Sequence, residues 1–119
     1  MSKYGVIAIC LVAANSSCVL AQSYKSNNYG GVETTVVSKY QDRTVYRVQS
    51  NDYPGNSFSR SDLDNYSYRV NRRNCTDPDI MFMMRKGHVF QYDFFGSDNI
   101  KVGTFYCSAS VCLDQYKIR

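Results

Sequence analysis

Ile80-Met81-Phe82-Met83-Met84-Arg85-Lys86-Gly87-His88-Val89-Phe90-Gln91-Tyr92-Asp93-Phe94 is the stretch on which the fold turns. Its first five residues form a continuous apolar run, the pattern of a central buried strand. Arg85-Lys86-Gly87 then supplies a turn, so Ile80–Met84 and His88–Phe94 read together as a hairpin. Downstream, Gly96-Ser97-Asp98-Asn99 turns the chain again into a strand over Ile100 to Tyr106.

Upstream, Tyr66-Ser67-Tyr68-Arg69-Val70 alternates and reads as a strand, and Ser57 to Asn65 reads as a polar surface loop. Asn51-Asp52-Tyr53-Pro54-Gly55-Asn56 is a strong turn, because Pro54 presets its φ and Gly55 tolerates a positive one. Before that turn, Val45, Arg47 and Gln49 alternate with Tyr46 and Val48, giving a strand with two unlike faces. Val32, Val36, Val37 and Tyr40 fall at helical spacing, so one short amphipathic helix is predicted over Val32 to Gln41. The β-branched residues there argue equally for a strand. The expected class is therefore α+β: one short helix packed on a mostly antiparallel sheet of about five strands.

Composition agrees with a strand-rich chain. Tyrosine occurs 11 times, tryptophan is absent, and Glu33 is the single glutamate among 10 acidic residues. A length of 119 residues and 44% hydrophobic content fit one small globular domain and exclude a large multi-domain enzyme. Lys3, the apolar run Val6 to Ala14 and the small residue Ala21 make residues 1–21 a secretory signal peptide. The run is too short for a bilayer span of about 20 residues. Cleavage after Ala21 leaves a single domain, residues 22–119, with 13 Lys/Arg against 10 Asp/Glu. That mild basic excess permits contact with RNA or an acidic protein and demands neither. No association with a membrane is expected of the mature chain.

Cys75, Cys107 and Cys112 remain after cleavage, an odd number for an oxidising compartment. One bridge plus a spare thiol is the simplest outcome. A bridge from Cys75 to Cys107 or Cys112 would close a long loop, whereas Cys107–Cys112 would clip a local turn. No metal site is expected, since no CxxC pair occurs and His88 is the sole imidazole. No cofactor is expected either. Asn65-Tyr66-Ser67 and Asn74-Cys75-Thr76 are glycosylation sequons for a eukaryotic secretory route, at Asn65 and Asn74.

Catalysis is thinly provided for. One histidine, one glutamate and scattered aspartates offer few titratable pairs for general acid–base work. His88 follows a Gly turn, where a structural histidine is the ordinary reading. Binding is better served, because Tyr and Arg interleave from Tyr40 to Arg73. Aromatic faces stack on bases and guanidinium groups engage phosphates, and the same residue types make protein hot spots. The predicted contact surface comprises Tyr46, Tyr66, Tyr68, Arg69 and Tyr92, with Arg72 and Arg73 at its rim. Half-buried sheet tyrosines with a solvated arginine face are the plain alternative.

Several spaced stretches also resemble the ribonuclease-like secreted effectors of powdery mildew fungi, whose fold is that of the guanyl-specific ribonucleases. These stretches are Tyr24-Lys25-Ser26, the predicted helix Val32 to Gln41 where that family's helix falls, Tyr53-Pro54, Ile80–Phe82, Gly87–Phe90 and Gly96 to Val102. Ser26 stands where that family's Tyr-x-Cys motif has its cysteine. The resemblance implies one helix on a curved antiparallel sheet and a protein without ribonuclease turnover. It also implies a virulence role inside plant cells, where a host protein or host RNA is bound and defence suppressed; the oligomeric state stays open, a monomer among the options. The alternatives are an active secreted ribonuclease using His88, and an extracellular toxin or inhibitor.

Overall fold

The computed structural model describes the backbone of residues 6–10 and 18–26 and the whole chain from residue 30 onward, with side chains from residue 31. The expected signal peptide lies partly outside the described residues. Six strands form one sheet in sequence order: β1 (Val6–Cys10), β2 (Cys18–Ser26), β3 (Gly30–Lys39), β4 (Arg43–Ser50), β5 (Val89–Phe95) and β6 (Lys101–Cys107). Cleavage after Ala21 would leave Gln22–Ser26 paired with Gly30–Thr34, and hence five strands.

The helix predicted over Val32 to Gln41 is instead most of β3. Its β-branched residues fit a pleated ladder, where Val32, Thr34 and Val36 face Ser50, Val48 and Tyr46 of β4. A bulge between Val36 and Ser38 absorbs one residue and shifts the phase of the pattern. That shift mimics a helical period.

The sheet is mostly antiparallel, as expected, but mixed, because β4 runs parallel to β5 with Tyr46 opposite Tyr92 and Val48 opposite Phe94. Parallel neighbours need a crossover, and the chain builds it from two helices. One is α1 (Arg60–Cys75), which replaces both the polar loop and the Tyr66–Val70 strand expected from alternation. Ser59 and Asp62 close a reciprocal capping box at its start. Leu63, Tyr66 and half-buried Val70 then fall on one helical face. The other is α2 (Pro78–Arg85), so the apolar run Ile80–Met84 is a helix and no hairpin forms. Asp77 caps it, accepting from the backbone N–H groups of Asp79 and Ile80, and Pro78 sits in its first turn. Met81 and Met84 are buried at a spacing of three, while Phe82 faces solvent. Gly87, with φ of 100°, ends this helix in a backbone conformation that a side chain would strain.

A third helix, α3 (Ala109–Tyr116), follows β6. Among the described residues three α-helices, rather than one, thus cover one face of the sheet, and the α+β class stands. Phe90, Phe94, Val48 and Met84 form the core between the layers. Each such burial contributes roughly 1.5–3 kcal/mol. Leu63 of α1 packs onto Gly103 of β6, where a Cβ would collide with it. Asn71 Nδ2 donates to the Tyr106 carbonyl at 3.0 Å, which ties α1 to the outer edge of β6.

Cys75, at the end of α1, is bridged to Cys112 of α3, with the two residues 37 apart in sequence. By loop closure this cross-link stabilises the fold by about 4 kcal/mol. Cys107 is the spare thiol and is fully buried. Burial pushes that thiol up from 9.0 to about 11, against a smaller lowering by the Asn74 side chain. Burial likewise raises the Tyr116 hydroxyl to about 12.

Both groups hold their protons more tightly folded than unfolded. The Cys107 contribution is therefore complete below pH 9 and lost as pH rises through about 11, and that of Tyr116 is complete below pH 10 and lost through about 12. The denaturant midpoint should fall over that range, and Cys107→Ala should make the fall shallower, as read from urea titrations at stepped pH.

Candidate functional site

Of the seven residues predicted to form one contact surface, four meet in a cleft and three lie outside it. The cleft, about 170 Å³, lies between the C-terminal half of α1 and strands β3 to β5. Tyr46, Tyr66, Tyr92 and Arg73 line it together with Asn74 and Val70. Tyr66 and Tyr92 are only 3% and 7% exposed, so both are core residues rather than members of an open surface. Their burial follows from position: Tyr66 lies on the apolar face of α1, and Tyr92 points to the helix-covered side of β5.

The rings in this region stack on one another, so Tyr92 has both faces covered and Tyr46 and Phe105 one each. Tyr46 stacks on Tyr92 at 4.9 Å with 14° between planes, and Tyr92 stacks on Phe105 at 4.8 Å and 10°. A ladder of three rings thus crosses β4, β5 and β6, each ring opposite the next in the strand register. Asn74 Nδ2 donates to the Tyr92 hydroxyl at 2.7 Å, which turns the Asn74 sequon inward, whereas Asn65 is exposed on α1. Burial raises the Tyr46 hydroxyl above its ordinary value and keeps it protonated.

Tyr68, Arg69 and Arg72 lie on the solvent side of α1. Tyr68 is 46% exposed and its ring lies 5.0 Å from that of Tyr116, whose hydroxyl donates to the Tyr68 carbonyl. The helix C-terminus also gathers Arg72 and Arg73 in its last turn, where positive charge is favoured. Tyr68, Arg69 and Arg72 are thus exposed on α1 beside the Tyr116 ring, while Arg73 borders the cleft.

His88 is 8% exposed and belongs to the core: Nε2 lies 2.8 Å from Thr44 Oγ1 and the ring packs at 4.9 Å on Phe90. It borders a cavity of about 490 Å³ with Gln41, Asp42 and Lys86. Its hydrogen-bond partner is a hydroxyl, not a carboxylate.

Sequence reasoning missed the uncovered face of the sheet. There the Arg47 guanidinium sits 3.7 Å over the Phe95 ring and donates to Asn99 Oδ1. Arg43 donates to Gln91, while Asp93 accepts from Gln91 and Thr104 and pairs with Lys101 at 3.8 Å. The alternation of Val45, Arg47 and Gln49 held that signal, since a strand covered on one side presents polar residues on the other.

No protein-family model matches the chain, and no curated protein does. Among solved structures, a candidate secreted protein from Pseudomonas aeruginosa has a similar fold. Its TM-score is 0.56 at 14% identity, over 68% of this chain and 72% of that one. At that identity the likeness is one of fold.

The two groups of tyrosines should separate by stability. Tyr66→Ala and Tyr92→Ala should each cost about 3–5 kcal/mol in urea denaturation, as large core truncations do. Tyr68→Ala should stay within about 1 kcal/mol.

Proposed function

We propose that this chain is a secreted module that acts by contact with a protein partner, through the exposed face of α1, and without turnover. Secretion is supported by the leader-like residues 1–21 and by the shared fold with a candidate secreted protein. The observation that carries the choice of partner is the stacking of Tyr46, Tyr92 and Phe105 on one another. Tyr92 has both faces filled by neighbours and Tyr46 and Phe105 have one each, which leaves this group of rings little face to offer an unstacked base, the contact that single-stranded RNA recognition uses.

Tyr68, Arg69 and Arg72 remain as the patch, and tyrosine and arginine are the residue types that anchor protein interfaces. The resemblance to secreted effectors supplies the class of partner, a host protein whose engagement dampens defence. Turnover by His88 has little support, because its imidazole is packed in the core against Thr44 and Phe90.

Two measurements test this reading. Labelled single-stranded RNA titrated with the purified protein, in the absence of metal, should neither shift nor break. A shift that weakens steeply with salt would move the partner class to RNA, and fragments lost in His88→Ala would make the chain an enzyme. A photo-crosslinking residue at position 68 should capture a discrete host protein, and the same residue at position 114 should not. Equal capture at both positions would remove the α1 patch from the account.

A further inference from the structure

Three cysteines that the sequence scatters over 38 positions converge in space: the sulfurs of Cys75, Cys107 and Cys112 all lie within 4.8 Å of one another and all three residues are buried. They come from the end of α1, the last residue of β6 and the middle of α3. No histidine or carboxylate joins this cluster among the described residues. Two of the sulfurs form the bridge, and the third is held beside it as a thiol.

A structural disulfide needs two cysteines. The third sulfur adds nothing to that cross-link, yet it sits at a distance from both partners that small side-chain shifts would convert to a common metal ligand sphere. We propose that Cys75, Cys107 and Cys112 form a redox-gated site for one soft monovalent cation of the Cu(I) type, closed while the bridge is intact and open once it is reduced. The choice of ion follows from the donor set. Thiolates select soft metals, and zinc in structural sites almost always takes four ligands, of which only three are present in this cluster.

Opening needs a dithiol or phosphine reductant. A dithiol gives two electrons and two protons to the Cys75–Cys112 bond and leaves as its own disulfide; a phosphine gives the two electrons, takes oxygen from one water and leaves as its oxide, and that water supplies the two protons that make the thiols. The cation then forms three sulfur–metal bonds and displaces three thiol protons to solvent. The bound ion would restore the tie among α1, β6 and α3 that reduction removes. Entry requires local opening of α3, an eight-residue helix at the end of the chain.

The test uses the full chain under anaerobic conditions, reduced with a phosphine and titrated with Cu(I) held by a competing chromogenic chelator. The reduced protein should take one Cu(I) per chain and regain melting temperature on loading. The oxidised protein should take none. Cys107→Ala keeps the bridge partners, and its near-ultraviolet circular dichroism when oxidised reports whether the fold survives. Once reduced it should bind more weakly by about tenfold or more, given that even groups supporting a metal ligand contribute on that scale. No uptake by the reduced chain would overturn the proposal, and so would equal affinity in a folded Cys107→Ala.

Discussion

The parallel pairing of β4 with β5 is the constraint from which the rest of the structure follows. Two neighbouring strands that run the same way cannot be joined by a tight turn. The 38 residues between Ser50 and Val89 must leave the sheet, cross one of its faces and return at the far end. In this chain they do so as two helices, and α3 then packs beside them. The apolar side chains of β4, β5 and β6 point toward that layer, where Val48, Phe90, Phe94 and Cys107 are almost fully buried. Among the described residues no helix lies on the opposite face, which carries Arg47, Gln49, Gln91 and Asp93 in polar contacts.

The helical layer is fastened at both ends. At one end, Gly96 lies directly against the backbone of Gly55, and Gly55 donates its N–H to the Asp98 carboxylate. That hydrogen bond from the Gly55 N–H is the main cause holding the Asp98 carboxyl below its ordinary range. At the other end, the Cys75–Cys112 bridge binds α1 to α3 beside the last residue of β6. Between these points α1 presents one face inward, with Leu63 and Tyr66, and its other face outward, with Tyr68, Arg69 and Arg72. The proposed contact surface is thus a by-product of how the crossover is held.

Much of the architecture was legible in the residues. The strand at Val45–Val48, the turn at Pro54-Gly55, the strand after Gly87 and the last strand before Cys107 all lie where alternation and turn chemistry put them. A long-range bridge from Cys75 was among the open pairings. The errors have local causes. Ile80–Met84 looks like a buried strand because α2 has only eight residues and periodicity cannot distinguish short apolar segments. Asp77-Pro78 held the missing signal, a capping residue followed by a proline suited to a helix's first turn. Tyr66-Ser67-Tyr68 alternates by chance within α1, whose true mark was Ser59-x-x-Asp62. Grouping the tyrosines in one surface failed for the same reason, since a strand period was applied across a helix. One of the stretches that carry the resemblance to ribonuclease-like effectors, Val32 to Gln41, is β3 where that family has its helix.

The central claim concerns topology, and it is open to direct measurement. Interstrand nuclear Overhauser effects on the isotope-labelled protein should show the parallel pattern between residues 44–49 and 90–95, with Tyr46 beside Tyr92. The secondary chemical shifts of residues 32–36 should be those of a strand, and those of residues 80–84 those of a helix. A helical signature at residues 32–36 together with an antiparallel pattern between residues 80–84 and 88–94 would contradict the account and restore the one-helix order expected from the sequence.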